Sequence, residues 1–311
     1  MTDSNIALEF NNVVKKFGRC AALDGFTMKV QKGTILGLVG SNGAGKTTSI
    51  SVAAGLLNLN RGSVDILGDG AFDPLRHAGR VSMMPQDAEL PLYAKVRDLL
   101  AFYARLQGVP VGQVKEEVER VIKWVNLADR AGASVRSLSH GMRRRIVVAQ
   151  AFLGNPELVL LDEPMSGLDP REVINIRKLL VQRTSGQTIV ISSHNLHELE
   201  LVCDHVAFIE QGKLVRHDSM DAITGRQQIM NFEVSSIDGL SLDGLREQLA
   251  DVVIDVVESD NVLACSFSKS EHSAEELNRI VLRYLLDNNI DIIEVRRGKN
   301  LESAYITHSK N

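Results

Sequence analysis

Gly40-Ser41-Asn42-Gly43-Ala44-Gly45-Lys46-Thr47 sets small, turn-forming residues ahead of a lysine and a hydroxyl. Glycine, four residues, then Gly-Lys-Thr is the spacing with which backbone N–H groups turn inward around a polyphosphate. In that reading Lys46 reaches the β- and γ-phosphates, and the Thr47 hydroxyl coordinates Mg²⁺. The flanks agree. Ile35-Leu36-Gly37-Leu38-Val39 suits a buried parallel strand, and residues 47–54, opening Thr47-Thr48, suit a helix whose N-terminus adds a positive dipole end.

A carboxylate pair, Asp162-Glu163, closes the apolar run Leu158-Val159-Leu160-Leu161. An Asp at a strand end beside such a loop is placed to order the hydration shell of Mg²⁺. The Glu after it can polarise an attacking water, which is general-base work. Between loop and pair lies Leu138-Ser139-His140-Gly141-Met142-Arg143-Arg144-Arg145, predicted to run into an amphipathic helix. Ser139 suits the N-cap of an ordinary helix, and the same N–H groups and hydroxyl could bind a γ-phosphate. Three arginines in the first turn oppose the helix dipole. Contacts elsewhere, packing against a partner and plain solvation all remain open for them.

The elements that must position these groups follow from periodicity. Short apolar segments alternate with turns over residues 6–39, a β-rich entry to a nucleotide core. From about 88 to 155 the pattern turns helical: Val96, Leu99, Leu100 and Tyr103, then Val114, Val118, Val121, Ile122 and Val125, mark core-facing stripes. Continuous apolar runs then resume at Leu158–Leu161, 188–192 and 206–209, as expected of strands covered on both faces. This predicts an α/β P-loop core over residues 1–225 with a helical insertion. Residues 226–311 predict a separate α+β unit: strand 231–235, helix 242–249, strands 252–257 and 262–267, helix 274–287 and strand 290–295. That β-α-β-β-α-β order suits a ferredoxin-like domain.

Length and composition set bounds. The chain has 311 residues, 44% of them hydrophobic and 24% charged, which predicts about two globular domains. A net charge of -4 offers no global basic field for nucleic acid or anionic lipid. Cys20, Cys203 and Cys265 are odd in number and far apart, which fits a reducing compartment and no zinc site. The opening residues lack a signal-peptide layout, and no apolar run reaches membrane-spanning length.

The ensemble resembles the nucleotide-binding subunit of an ABC transporter over roughly residues 6–220. Gly40–Thr48 is similar to the Walker A loop, Leu138–Met142 to the family signature, and Leu158–Glu163 to Walker B with its catalytic Glu. Phe17, which alone reads as a core residue, resembles the aromatic that stacks on adenine. Gln86, in Met84-Pro85-Gln86-Asp87, resembles the Q-loop glutamine. Ser166-Gly167-Leu168-Asp169 resembles the D-loop, and His194 in Ser192-Ser193-His194 the switch histidine. Signatures of the family usually read Leu-Ser-Gly-Gly-Gln. His140 and Met142 depart from that pattern while Ser139 and Gly141 keep it, which bears on turnover more than on binding.

The resemblance implies ATP and Mg²⁺ as cofactors, with phosphates held by Gly40, Ser41, Asn42, Gly43, Ala44, Gly45, Lys46, Thr47 and Thr48. Thr47, Gln86 and Asp162 arrange Mg²⁺, Glu163 orients the water, and His194 keeps γ-phosphate and water in register. Two copies, or one copy and a homologous ATPase, close head to tail, so that Ser139, Gly141 and Asp169 serve a shared site. The partner is a membrane permease, engaged through the groove near Gln86 and residues 90–93, and the protein sits on the cytoplasmic face. Leu301-Glu302-Ser303-Ala304-Tyr305-Ile306 resembles the tail of ABC-2-type exporter ATPases; a plain amphipathic helix reads equally well there. Two rivals are weaker. A soluble ABC ATPase acting on DNA or ribosomes lacks room for a long coiled coil between Gln86 and Ser139, and no direct nucleic-acid contact is expected. A GTPase switch lacks the Asn-Lys-x-Asp motif.

Overall fold

The structure, a computed structural model, describes residues 5–182, 186–224, 229–237, 241–249, 252–257, 261–267 and 273–298. It divides into two compact units, Met1–Asp218 and Ser219–Asn311.

In the first unit, β1 (Ile6–Phe17) and β2 (Cys20–Gln31) form an antiparallel pair. They are longer than the short segments read from the sequence, because bulges let the chain bend without ending the strand. One register shift falls between Phe10 and Val13, where Asn12 takes a left-handed φ of 49°. After β3 (Ile35–Val39) the phosphate-loop motif leads into α1 (Lys46–Ala53). Next, β4 (Arg61–Ile66) returns to pair with β1, completing a three-stranded sheet. Phe10 and Phe26 meet edge to face at 5.1 Å in the core beneath that sheet.

After β5 (Val81–Met84) come the helices of the insertion, α2 (Val96–Leu106), α3 (Val114–Trp124) and α4 (His140–Ala151). Val96, Leu99 and Leu100 are buried as their spacing predicts, and so are Val114, Val118, Val121, Ile122 and Val125; Tyr103 is half-buried. Helix α4 is not the amphipathic helix expected. From Arg144 to Ala149 every residue is buried, the arginines included.

The second sheet of this unit is built from β3, β5, β6 (Leu158–Asp162), β7 (Thr188–Ser193), β8 (His205–Glu210) and β9 (Lys213–Ser219). Helix α5 (Pro170–Val181) precedes β7 and α6 (Leu196–Glu200) follows it. The strand order is β5-β6-β7-β3-β8-β9, and the pairs from β5 through β8 are parallel. Each of β3, β6 and β7 is wholly buried, which explains their unbroken apolar runs.

The division at Asp218 comes ahead of the Gly225 boundary read from the sequence. The short helix α7 (Met220–Thr224), whose Met220 and Ile223 are buried, groups with the second unit. That unit continues through β10 (Ile229–Val234), α8 (Asp243–Gln248), β11 (Val253–Val257), β12 (Val262–Ser266), α9 (Ala274–Asp287) and β13 (Ile292–Arg297). Its sheet runs β11-β12-β10-β13, antiparallel throughout, over a core containing Phe232, Leu263, Leu277, Val281 and Leu285. This is a split β-α-β arrangement. The tail motif at 301–306 lies outside the described residues. Among the described residues no helix is long and apolar enough to cross a membrane.

Candidate functional site

In an open parallel sheet, ligands bind outside the carboxyl ends of the strands. Four neighbouring strands end here on the sequence-predicted residues. The turn after β5 carries Gln86, β6 ends on Asp162-Glu163, β7 leads to His194, and β3 feeds the Gly40–Gly45 loop. Register aligns them: Leu161 faces Met84, Asp162 faces Ser192, and Val39 faces Ser193.

The loop needs glycine at two points for geometric reasons. A Cβ on Gly40 would lie 2.4 Å from the Ile209 carbonyl oxygen. Gly45, with φ 115°, begins α1, and a Cβ there would meet the Ala22 carbonyl oxygen at 2.6 Å. Lys46 is buried, and its Nζ donates to the carbonyls of Gly40 (2.7 Å) and Ser41 (3.3 Å). Ala44 is buried, while Ser41, Asn42, Gly43 and Thr47 are exposed and Thr48 half-exposed.

The carboxylate pair is held from the neighbouring strand. Ser192 Oγ, fully buried, donates to Asp162 Oδ1 at 2.5 Å and accepts the Glu163 N–H at 2.9 Å. The other Asp162 oxygen, Oδ2, is buried with no hydrogen-bond partner in the structure. A buried, unpaired carboxylate oxygen is costly, and a hydrated cation is the species that would satisfy it. The Thr47 hydroxyl and the Gln86 side-chain carbonyl line a common cavity, and together with a carboxylate they make a set of oxygen donors that suits Mg²⁺. Glu163 takes a left-handed φ of 49°. Its Oε1 lies 3.7 Å from Lys46 Nζ, and its Oε2 lies 2.9 Å from His194 Nδ1. A carboxylate only accepts, so Nδ1 carries the proton in that bond.

One cavity of about 480 Å³ gathers Phe17, Ala22, Asn42, Gly43, Gly45, Lys46, Thr47, Thr48, Gln86, Glu163, Ser166 and His194. Phe17 is 50% exposed, so it is not the core residue its type alone suggests. Lys15 Nζ sits 5.0 Å from its ring centroid. Ser139, Gly141 and Asp169 do not line this cavity. Ser139 caps α4 by accepting the Met142 N–H (3.2 Å), and Asp169 caps α5 through the N–H groups of Arg171 and Glu172. Gly141 is buried against Glu172, whose Cγ would stand 2.4 Å from an added Cβ, so any larger residue there would have to displace the Glu172 side chain.

Two of the α4 arginines also find partners within the chain. Arg144 donates to three main-chain carbonyls. Arg145 donates to the Val125 carbonyl at 2.8 Å and pairs with Glu172 at 3.0 Å.

Sequence reasoning placed Ser192 at the end of a strand and beside His194 without giving it a role, and did not name Glu198. Glu198 Oε1 accepts from Asn195 Nδ2 at 3.1 Å, and burial pushes its carboxyl pKa upward, with nearby His194 opposing. Only the pairing of β6 with β7 makes the role of Ser192 visible.

Comparison with known proteins agrees with this geometry. The ABC transporter family model matches residues 23–166. The Nod factor export ATP-binding protein I of Burkholderia lata is 32% identical over 305 residues, covering 96% of this chain and 95% of the relative. The linearmycin resistance ATP-binding protein LnrL of Bacillus subtilis is 28% identical, covering 96% of this chain and 97% of that protein. Among solved structures, cbiO1 of Clostridium perfringens, part of an ABC transporter complex, superposes with a TM-score of 0.64 at 25% identity, over 71% of this chain and 91% of that one. A dimeric ATP-binding cassette holding ADP and Pi shares the fold, with a TM-score of 0.61 at 20% identity, over 68% and 98% of the two chains. The chain belongs to the ATP-binding subunits of the ABC transporter family.

Proposed function

We propose that the protein hydrolyses MgATP to drive export through a separate membrane permease, working as a head-to-tail pair with a second copy or a homologous ATPase. The observation that carries the chemistry is the cavity in which Lys46, Gln86, Glu163 and His194 converge. Lys46 gives up loop carbonyls to hold the β- and γ-phosphates, as the exposed loop amides close around them. Asp162 Oδ2, Thr47 and Gln86 hold Mg²⁺, which when bound offsets phosphate charge. Glu163 accepts the proton of the attacking water, and His194 keeps the γ-phosphate and that water in line. Phe17 stacks on adenine. Such catalysis is positioning and charge stabilisation more than covalent chemistry.

Ser139, Gly141 and Asp169 serve the site of the partner copy, which accounts for their place outside this cavity. Export is in the name of the Burkholderia relative, and the Bacillus relative is named for linearmycin resistance; both align over almost the whole chain. The protein attaches peripherally at the cytoplasmic membrane face, where the permease supplies the membrane span.

Glu163→Gln tests the core of this reading. It keeps the shape but cannot take the proton, so hydrolysis should fall by about 10²–10⁴ while ATP binding persists. Near-normal phosphate release from the purified variant would refute the assignment.

A further inference from the structure

Arg144 is 9% exposed, and all three of its hydrogen bonds go to main-chain carbonyls. Its Nε donates to Pro164 at 2.9 Å, Nη1 to Gln86 at 3.0 Å, and Nη2 to Glu163 at 2.6 Å. These carbonyls belong to two segments far apart in sequence, the turn after β5 and the turn after β6. Only a planar fork of donors can meet both at once.

A buried guanidinium is costly unless its donors are met. Burial lowers its pKa, while the charges of Asp162, Asp87 and Glu163 pull the other way. The three carbonyls offset that cost, and two of them belong to Gln86 and Glu163, the residues assigned above to the metal and the water. The carbonyl that accepts from Nη2 belongs to Glu163, the left-handed residue that carries the catalytic carboxylate.

We propose that Arg144 is a positioning residue that ties the Gln86 turn and the Glu163 turn to the Ser139 end of α4, so that the three keep one spacing through turnover. This rests on the catalytic reading given under Proposed function. It adds that α4, whose N-terminus faces the partner's nucleotide in that reading, is mechanically joined to the hydrolytic groups of its own chain.

The test uses the full chain carrying Arg144→Lys or Arg144→Gln. Lysine keeps the charge, but its single nitrogen cannot span both turns; glutamine also removes the charge. A displacement of about 1 Å at reacting groups costs about 100-fold in rate, so kcat should fall about 10- to 100-fold. ATP affinity, measured with and without Mg²⁺ by isothermal titration, should stay within about threefold, because the Gly40–Gly45 loop and Lys46 are untouched. Combining Arg144→Lys with Ser139→Ala should give a rate loss smaller than the product of the two single losses. Wild-type kcat in Arg144→Lys, or losses of rate and binding that both track the folded fraction, would overturn the proposal. Should both variants fail to fold, hydrogen exchange on the wild type decides. Backbone amides of residues 86–89, 140–143, 163, 165 and 166 should gain protection together when a non-hydrolysable ATP analogue binds, and independent responses would overturn it. Glu163→Gln run alongside separates the two readings: near-normal hydrolysis there removes the catalytic assignment itself, and this proposal with it.

Discussion

Ser192→Ala is the most informative single change in the nucleotide-binding unit, because one buried hydroxyl bonds both the Asp162 carboxylate and the Glu163 main chain. The Ser192 hydroxyl accepts the Glu163 N–H and donates to Asp162 Oδ1. Alanine leaves the buried N–H unsatisfied, worth about 1–3 kcal/mol, and removes a hydrogen bond to a charged group, worth about 1.5–3 kcal/mol. The two losses share one hydroxyl and are not fully additive, so a destabilisation of about 2–5 kcal/mol is expected. The left-handed turn at Glu163, which costs about 1–2 kcal/mol in a residue with a Cβ, loses one of its restraints, and kcat should fall with it. Trp124 is the only tryptophan and packs against Phe152 at 4.7 Å between ring centroids, so its fluorescence reports unfolding of the first unit alone. Urea titration of that signal should show a lower midpoint with an unchanged slope. Ser192→Thr keeps the hydroxyl and should recover most of both losses. A shift below about 0.5 kcal/mol, the usual range of an unimportant surface change, combined with full hydrolysis, would refute the claim that this hydroxyl organises the pair.

Gly45→Ala combines a φ of 115° with a 2.6 Å approach to the Ala22 carbonyl; ATP binding should be lost, and calorimetry showing wild-type affinity would contradict the loop geometry. Mixing Lys46→Ala with Ser139→Arg subunits should leave at most one intact composite site per mixed pair, so phosphate release independent of dimer formation would exclude a shared site. Burial pushes the Cys265 thiol up to about 12, so at pH 8 it stays protonated and inert. Mass spectrometry after maleimide treatment should find exposed Cys20 labelled and Cys265 labelled only in denaturant; equal rates at both would show that the C-terminal core is open.

What the sequence made legible were groups whose chemistry fixes both residue type and spacing. Gly40–Thr47 and Asp162-Glu163 are of that kind. Periodicity served the C-terminal unit well, recovering six elements in order and helix 274–287 to the residue. Its last strand starts at Ile292 rather than 290, because the Ile290 N–H still bonds the Leu285 carbonyl and closes α9. Ser192 and Arg144 were not legible in their roles, since neither has a partner nearby in sequence. The amphipathic expectation for α4 failed for a related reason. Periodicity treats arginine as a solvent-facing residue, whereas here main-chain carbonyls solvate two of them inside the protein.

Chain order and spatial order differ at the site, and the difference has a mechanical consequence. The motifs run along the chain as the Gly40 loop, Gln86, Glu163 and His194, yet their strands lie side by side as β5, β6, β7 and β3. In a parallel sheet, neighbouring strands stand about 4.8 Å apart with their carboxyl ends on one edge, so each motif touches the next by register alone. Glu163 is thereby flanked by the Gln86 turn on one side and the His194 turn on the other. Its position is fixed laterally, through Ser192 from β7 and through Arg144 from the helical insertion. The first contact belongs to the rigid sheet and the second to α4, a helix that begins in the segment resembling the family signature. The Glu163 main chain is therefore held between a fixed support and one borne by α4; on the function proposed above, that is the arrangement needed for hydrolysis to respond to what α4 contacts.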